Sequence, residues 1–298
     1  MAVYDTFPFC NEFEVLEMRL HELDPVVDFF VLVEGNKTHP GAPKPLFFRE
    51  NAGRFAAFSH KIIHVVVEDW PEPATPWIRE RFQRDQIRRG LTACRDEDWI
   101  LMSDVDEIPR ASAVREAIRL AEAAPPLPRW QRRALLNPSV IYLLRKKLKR
   151  SHPAVWVFHQ RPSSYYLNFV RDTPGPGTRM VRYADLGKPS HLRRWVGKAI
   201  KDGGWHFTCL GDVGAIQERI RRTAHQEYNT PEYLDPARIA RDREQGEYIF
   251  AASGGGGKFR TVPLDDSFPD YLREHPERFA QLLKPVEVES LPPAGPRS

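Results

Sequence analysis

The chain has 298 residues, 41% of them hydrophobic and 28% charged, with a net charge of +4. That is enough for one large α/β domain or two small ones, in a composition ordinary for a soluble globular protein. So mild a charge does not by itself argue for nucleic acid, which needs a clustered basic face, and no nucleic-acid partner is expected; no apolar run approaches the ~20 residues that span a bilayer.

The N-terminal stretch MAVYDTFPFCNEFEV lacks a basic segment followed by a long apolar one, so it reads as no secretory signal. VYDTFPF (3–9) reads as a strand. NEFEVLEMRLHEL (11–23) reads as a helix with Asn11 as N-cap and Phe13, Leu16, Leu20 and Leu23 at three- and four-residue spacing. VVDFFVLVE (26–34) is a continuous apolar run, as a strand buried on both faces should be. GNKTHPGAPKP (35–45) is a loop by its glycines and prolines. KIIHVVVE (61–68) is a third strand, and TPWIRERFQRDQIRRGL (75–91) a helix with Thr75 as cap and Pro76 in its first turn. WILMS (99–103) is a fourth strand. This alternation predicts a mostly parallel sheet with helices on both faces, whose ligands sit at the carboxyl ends of strands.

After residue 110 the pattern weakens. ASAVREAIRLAEAA (111–124) reads as a helix broken by PPLP. RKKLKR (145–150) reads as a solvated face or inserted loop, with an acidic-ligand or membrane-surface contact as the alternative. GAIQERIRRTAHQEY (214–228) looks helical, with Ile216, Ile220 and Ala224 on one stripe. SGGGG (253–257) reads as a linker rather than a lid, and LPPAGPRS as a disordered end. Cys10, Cys94 and Cys209 lack metal-like spacing and read as free thiols of a cytosolic protein.

The chemistry concentrates in ILMSDVDEIP (100–109). Asp104, Asp106 and Glu107 would repel one another if all were ionised and close. A D-x-D at a strand end suits Mg²⁺ or Mn²⁺, which complete their shells with water and substrate phosphates. Acids also fill ordinary loops and helix N-caps, and Glu107 before Pro109 reads either way.

The order VYDTFPFCNE, helix, FFVLVEGNKT, KIIHVVVED, RFQRDQIRRGL, WILMSDVDEIP resembles a GT-A glycosyltransferase, and more narrowly glycosyltransferase family 17. The similar stretches include VVDFFVLVEGNKTHPGAPKPLFFRE, DVDEIP, GGWHF and YLREHPERFAQLL, covering nearly the whole chain. The resemblance implies a GT-A (Rossmann-like) α/β fold. Residues 1–110 would be its nucleotide-sugar-binding half, 111–285 its acceptor-side half and 286–298 a disordered tail. It implies an inverting, metal-dependent transfer of a sugar, N-acetylglucosamine, from a UDP-sugar to a glycan or glycoside acceptor, with Mn²⁺ or Mg²⁺. A catalytically inactive sugar-nucleotide or glycan-binding protein is the alternative. A haloacid-dehalogenase-type phosphatase fits poorly, because Ile108 stands where such enzymes carry Thr or Val.

By the same resemblance Asp106 ligates the metal, Asp104 lies nearer the ribose and the metal's water shell, and His206 returns to the metal. Glu34 is implied against the uridine, with a solvated loop acid as the competing reading. Arg79, Arg84 and Asp85 share a helix and are implied as donor contacts; an exposed charge ladder competes. Trp205 joins His206 in GGWHF, where paired glycines would let backbone approach a ligand. Inversion needs a carboxylate to take the acceptor proton. Asp172 and Asp202 are the leading candidates, with Asp185 also in a loop and Glu227 as an outside option.

Overall fold

A computed structural model of the chain describes residues 1–124, 137, 154–250 and 257–286. The break at PPLP, the basic run at 145–150, Ser253 with the glycines at 254–256, and the end beyond 286 lie outside the described residues.

Strands β1 (Val3–Phe9), β2 (Phe29–Gly35), β3 (Ile62–Val67) and β4 (Trp99–Met102) form a parallel block in the order β3-β2-β1-β4. Alternate β2 residues serve opposite faces. Phe30 and Leu32 pack with Leu16 and Leu20 of α1 (Phe13–Leu23), whereas Val31 and Val33 pack with Ile87 and Leu91. Burial on both faces explains the unbroken apolar run. The chain runs from β1 to β2 on one side and places β4 on the other. That reversal opens a crevice at the carboxyl ends of β1 and β4.

Helix boundaries show where local signals were incomplete. Asn11 is not the N-cap: α1 starts at Phe13, and Glu12 precedes it with no side-chain cap. The Glu12 carboxylate instead accepts the N–H groups of Cys10 and Asn11, both at 3.0 Å. A short α2 (Phe47–Asn51) follows β2. Thr75 does cap α3 (Pro76–Asp85), accepting from the Ile78 N–H at 3.3 Å, but the helix tightens into a 3-10 turn over Gln86–Gly90.

Beyond β4 come β5 (Glu107–Pro109), α4 (Ala111–Ala123), β6 (Trp156–Ser164), β7 (Phe169–Val170) and β8 (Gly175–Arg182). They are followed by α5 (Pro189–Leu192), β9 (Lys198–Ile200), β10 (Gly204–Thr208), α6 (Val213–Arg222), α7 (Pro236–Gln245), β11 (Arg260–Thr261) and α8 (Asp270–Glu274). β8 joins antiparallel to β4, β6 joins antiparallel to β8, and β10 runs parallel to β6 and antiparallel to β5. The all-parallel arrangement is thus limited to the first block, and the sheet continues as a mixed one through the second half, where β9 and β10 still run parallel to β6. The helix expected at 214–228 ends at Arg222, is capped by Asp212, and buries Ile216 and Ile220; Ala224, the third residue of the expected stripe, is buried just beyond its end. All three cysteines are free. No helix among the described residues is long and apolar enough to cross a membrane.

Candidate active site

The acids occupy the turn from β4 to β5, at the β1/β4 crevice. Its shape is set by Arg19 of α1, which is fully buried. The Arg19 guanidinium pairs with Asp5 in β1 at 2.6 Å and donates to the Ser103 hydroxyl at 2.6 Å. Its Nη1 also donates to the carbonyls of Asp104, Val105 and Glu107 at 3.1, 3.1 and 2.8 Å. A charge this deep is tolerated because it is paired and hydrogen-bonded throughout.

Three further arginines converge on the acid side chains. Arg84 of α3 reaches Asp104 Oδ1 at 2.7 Å and also holds Glu80 at 2.6 Å. Arg193, just after α5, reaches Asp104 Oδ2 at 2.8 Å and forks onto both oxygens of Glu107. Arg219 of α6 reaches Asp106 Oδ2 at 2.8 Å. The other Asp106 oxygen faces His206 Nε2 across 3.8 Å.

These contacts sort the acids. Burial works to raise the pKa of Asp104, but the charges of Arg193 and Arg84 outweigh it and hold the carboxyl below the usual range. Glu107 behaves alike: burial opposes its charge and Arg193 wins. Asp106 goes the other way, because burial, reinforced by Asp104 and Glu107, outweighs Arg219 and His206. The neighbours have been driven apart in acidity, as crowded carboxylates must be.

A cleft of about 540 Å³ opens over this turn. Its walls carry Lys37, Lys44, Arg81, Arg194 and Arg222 as well as Arg84, Arg193 and Arg219, so positive groups outnumber the acids Glu12, Glu80, Asp104 and Asp106. Aromatic rings of Trp77, Tyr228, Tyr248 and Phe250 line it too. Strong positive lining beside a carboxylate pair suits a polyanion.

Asp104, Asp106, Arg84 and His206 are therefore brought together at the cleft, and the other expected residues are not. Glu34 is buried at the start of α2, accepting the Phe48 N–H at 2.8 Å and facing His64 at 3.1 Å. An acid there satisfies free helix N–H groups. Arg79 pairs with Glu72 and donates to the carbonyls of His39 and Pro40 at 3.3 and 3.2 Å. Asp85 accepts the Ser190 N–H at 2.9 Å and so ties α3 to the segment carrying Arg193. Trp205 is core: it is 2% exposed, bonds the Ser267 carbonyl at 2.8 Å, and lies under Arg110. The paired glycines serve strand packing rather than ligand approach, since a Cβ on Gly204 would lie 2.2 Å from the Ile108 carbonyl oxygen.

The expected bases lie outside the cleft lining. Asp172 pairs with Arg260 at 2.9 Å on the surface, and Asp202 is 81% exposed beside Arg110. Asp185 is buried in a turn after β8. Glu227 is exposed but holds Nδ1 of His225, a cleft residue, at 2.6 Å. Glu12, Arg19, Arg193 and Arg219 escaped sequence reading. An aspartate inside the apolar strand VYDTFPF and an arginine between Met18 and Leu20 were the available signals for the Asp5–Arg19 pair.

Among the described residues no group of three or more His, Cys, Asp or Glu side chains is arranged to hold a metal ion. Both Asp104 oxygens are engaged by guanidinium groups. Asp106 Oδ1 and His206 Nε2 face each other too far apart for a hydrogen bond, and this oxygen–nitrogen pair fits a divalent cation that draws its remaining ligands from phosphate and water.

The glycosyltransferase family 17 model matches residues 1–166. A human protein named beta-1,4-mannosyl-glycoprotein 4-beta-N-acetylglucosaminyltransferase is 37% identical over 302 residues, covering 92% of this chain and 53% of that protein. Its Mus musculus counterpart is 36% identical over 303 residues with the same coverage. The chain spans about half the length of these curated relatives. Among solved structures, the Francisella tularensis cytidylyltransferase IspD overlays with a TM-score of 0.37 at 10% identity, covering 67% of this chain and 90% of that one. The galactosyltransferase LgtC overlays with a TM-score of 0.31 at 10% identity, covering 96% and 98%. Both overlays are too weak to support an inference.

Proposed function

The chain belongs to glycosyltransferase family 17, and from that premise we propose that its cleft transfers a sugar, N-acetylglucosamine, from a UDP-linked donor to a glycan or glycoside hydroxyl with inversion. The observation that carries this reading is the convergence of Asp104, Asp106 and His206 with Arg84, Arg193 and Arg219 at the β1/β4 crevice. The departing nucleoside diphosphate carries two to three negative charges, and donors fixed in advance where charge develops lower the barrier most. Arg84 and Arg193 are held in place by Glu80 and Glu107, so they meet the phosphates without reorganising. Buried Nη1 of Arg84 has no partner among the described residues and lies at the cleft wall, where a phosphate oxygen would take it.

Asp106 and His206 are the residues that would hold a divalent cation. Bound there, it would supply Lewis-acid neutralisation of the diphosphate. Nitrogen in the donor set favours Mn²⁺ over Mg²⁺. The relatives' names point to a β-1,4-mannosyl unit as the first acceptor to test.

The test incubates the full chain with UDP-N-acetylglucosamine, Mn²⁺ and β-mannosyl oligosaccharides, and follows UDP release and product mass. Acceptor-dependent release is the expected result. Donor binding without release on any acceptor or on water would assign the chain as a binding protein instead, and failure to bind any nucleotide sugar would overturn the reading.

A further inference from the structure

With Glu34 committed to the start of α2, the base of a bound nucleotide needs another partner. We infer that Trp77 and His39 form a nucleobase subsite that takes a uracil-type base by stacking and one hydrogen bond; this rests on the nucleotide-sugar reading above.

Span comes first. Arg84 touches Asp104 at the phosphate end of the cleft, and Trp77 stands seven residues earlier on α3. At 1.5 Å per residue that is about 10 Å along the helix. An extended nucleoside diphosphate anchored by its phosphates beside Arg84 carries its base that far away, whereas the transferred sugar stays next to the acids. Trp77 lines the cleft and is 40% exposed, with its ring steadied edge-to-face by His225 at 4.6 Å. An indole exposed inside a ligand cleft is a stacking surface rather than core.

His39 supplies the selectivity. Its Nε2 lies 3.1 Å from Gln83 Oε1, and Gln83 Nε2 donates to the Val33 carbonyl at 3.0 Å. The Gln83 amide is thereby oriented with its oxygen toward the imidazole, which places the ring proton on Nε2 and leaves Nδ1 an acceptor. Burial pushes the pKa of His39 down, so the ring is neutral near pH 7. Nδ1 is buried without a partner among the described residues, on a side chain that lines the cleft. A buried acceptor left without a donor is costly, and an entering N–H group removes that cost.

The loop is fixed to the same helix. Arg79 holds the His39 and Pro40 carbonyls, and Gly41, at φ +111°, lies where a Cβ would meet the Arg79 guanidinium carbon at 3.1 Å. One helix therefore provides the stacking ring, the loop clamp, the tautomer-setting amide and the anion contact. Uracil presents an N–H at ring position 3, and cytosine presents a lone pair there. Against His39 Nδ1 the first pairs and the second repels.

Titration calorimetry of the full chain with UDP and CDP, in Mn²⁺ buffer, tests this. Wild type should bind UDP at least about tenfold more tightly than CDP, since a site built to hydrogen-bond one partner rejects the analogue lacking it. His39→Ala should bring UDP down to the CDP affinity and leave CDP within about twofold. Trp77→Ala should weaken both by about tenfold, with Trp77→Phe recovering most of the loss. Melting curves confirm that each variant is folded. UDP binding without preference over CDP, preference surviving His39→Ala, or unchanged affinities in Trp77→Ala would each overturn the subsite while leaving the nucleotide reading standing. Binding of neither nucleotide overturns both.

Discussion

Asp106 is the acid whose charge is least supported by its surroundings, with one guanidinium against two neighbouring carboxylates and burial. Asp106→Asn keeps its shape and removes the charge that would face a cation. Turnover in the acceptor assay should fall by roughly 10² or more, and the melting temperature should change little, because the amide oxygen still accepts from Arg219 and a charge that burial disfavours is removed. A variant with near-normal rate at subsaturating Mn²⁺ would remove Asp106 from the machinery. Asp104 and Glu107 make the opposite prediction. Both are held below their ordinary values of 3.8 and 4.5, so their stabilisation is complete above about pH 4.5 and is lost as pH falls through the lower, folded values. The melting temperature should therefore drop steeply below pH 4.5. Arg193→Ala, which removes the main cause of both depressions, should start lower and decline less. Parallel curves would show that Arg193 does not set these acidities. At this scale the sequence showed the acids and His206, because a motif carries them. Arg193 and Arg219 sit in ordinary polar stretches and become recognisable only when folding brings them to the acids.

The parallel block was legible because each of its strands is followed by its own helix or loop, so local periodicity suffices. β5 and β10 were not. They are three and five residues long, and each is paired with a segment from the other half of the chain. Their pairing is what sets His206 beside the acid turn, with His206 opposite Glu107 in register. Gly204 is the position on which the pairing depends, at φ +126° and against the Ile108 carbonyl. Gly204→Ala should destabilise the protein by more than about 1 kcal/mol, from backbone strain alone. It should also cost activity beyond what stability predicts, because β5 must shift to admit the methyl. Normal activity in a folded Gly204→Ala chain would mean that the turn is held by Arg19 alone.

Across the whole molecule, the acids and the groups that balance them come from different ends of the sequence. Asp104, Asp106 and Glu107 precede residue 110, and of their positive partners only Arg84 does so too; Arg193, His206 and Arg219 follow later. Synthesis therefore delivers the acid turn well before the residues that neutralise it. Until the later segments arrive, Asp106 and Glu107 lack the guanidinium partners they have in the folded chain, and cations from solution can take that place. A chain stopped after residue 166 should be stabilised by added Mg²⁺ more than the 298-residue chain is. Equal responses in the two melting curves would show that the early segment balances its own charge. Because translation runs from the N-terminus, Arg219 on α6 is the last of these positive partners to be made, and its arrival decides when the cleft stops recruiting ions from the solution around it.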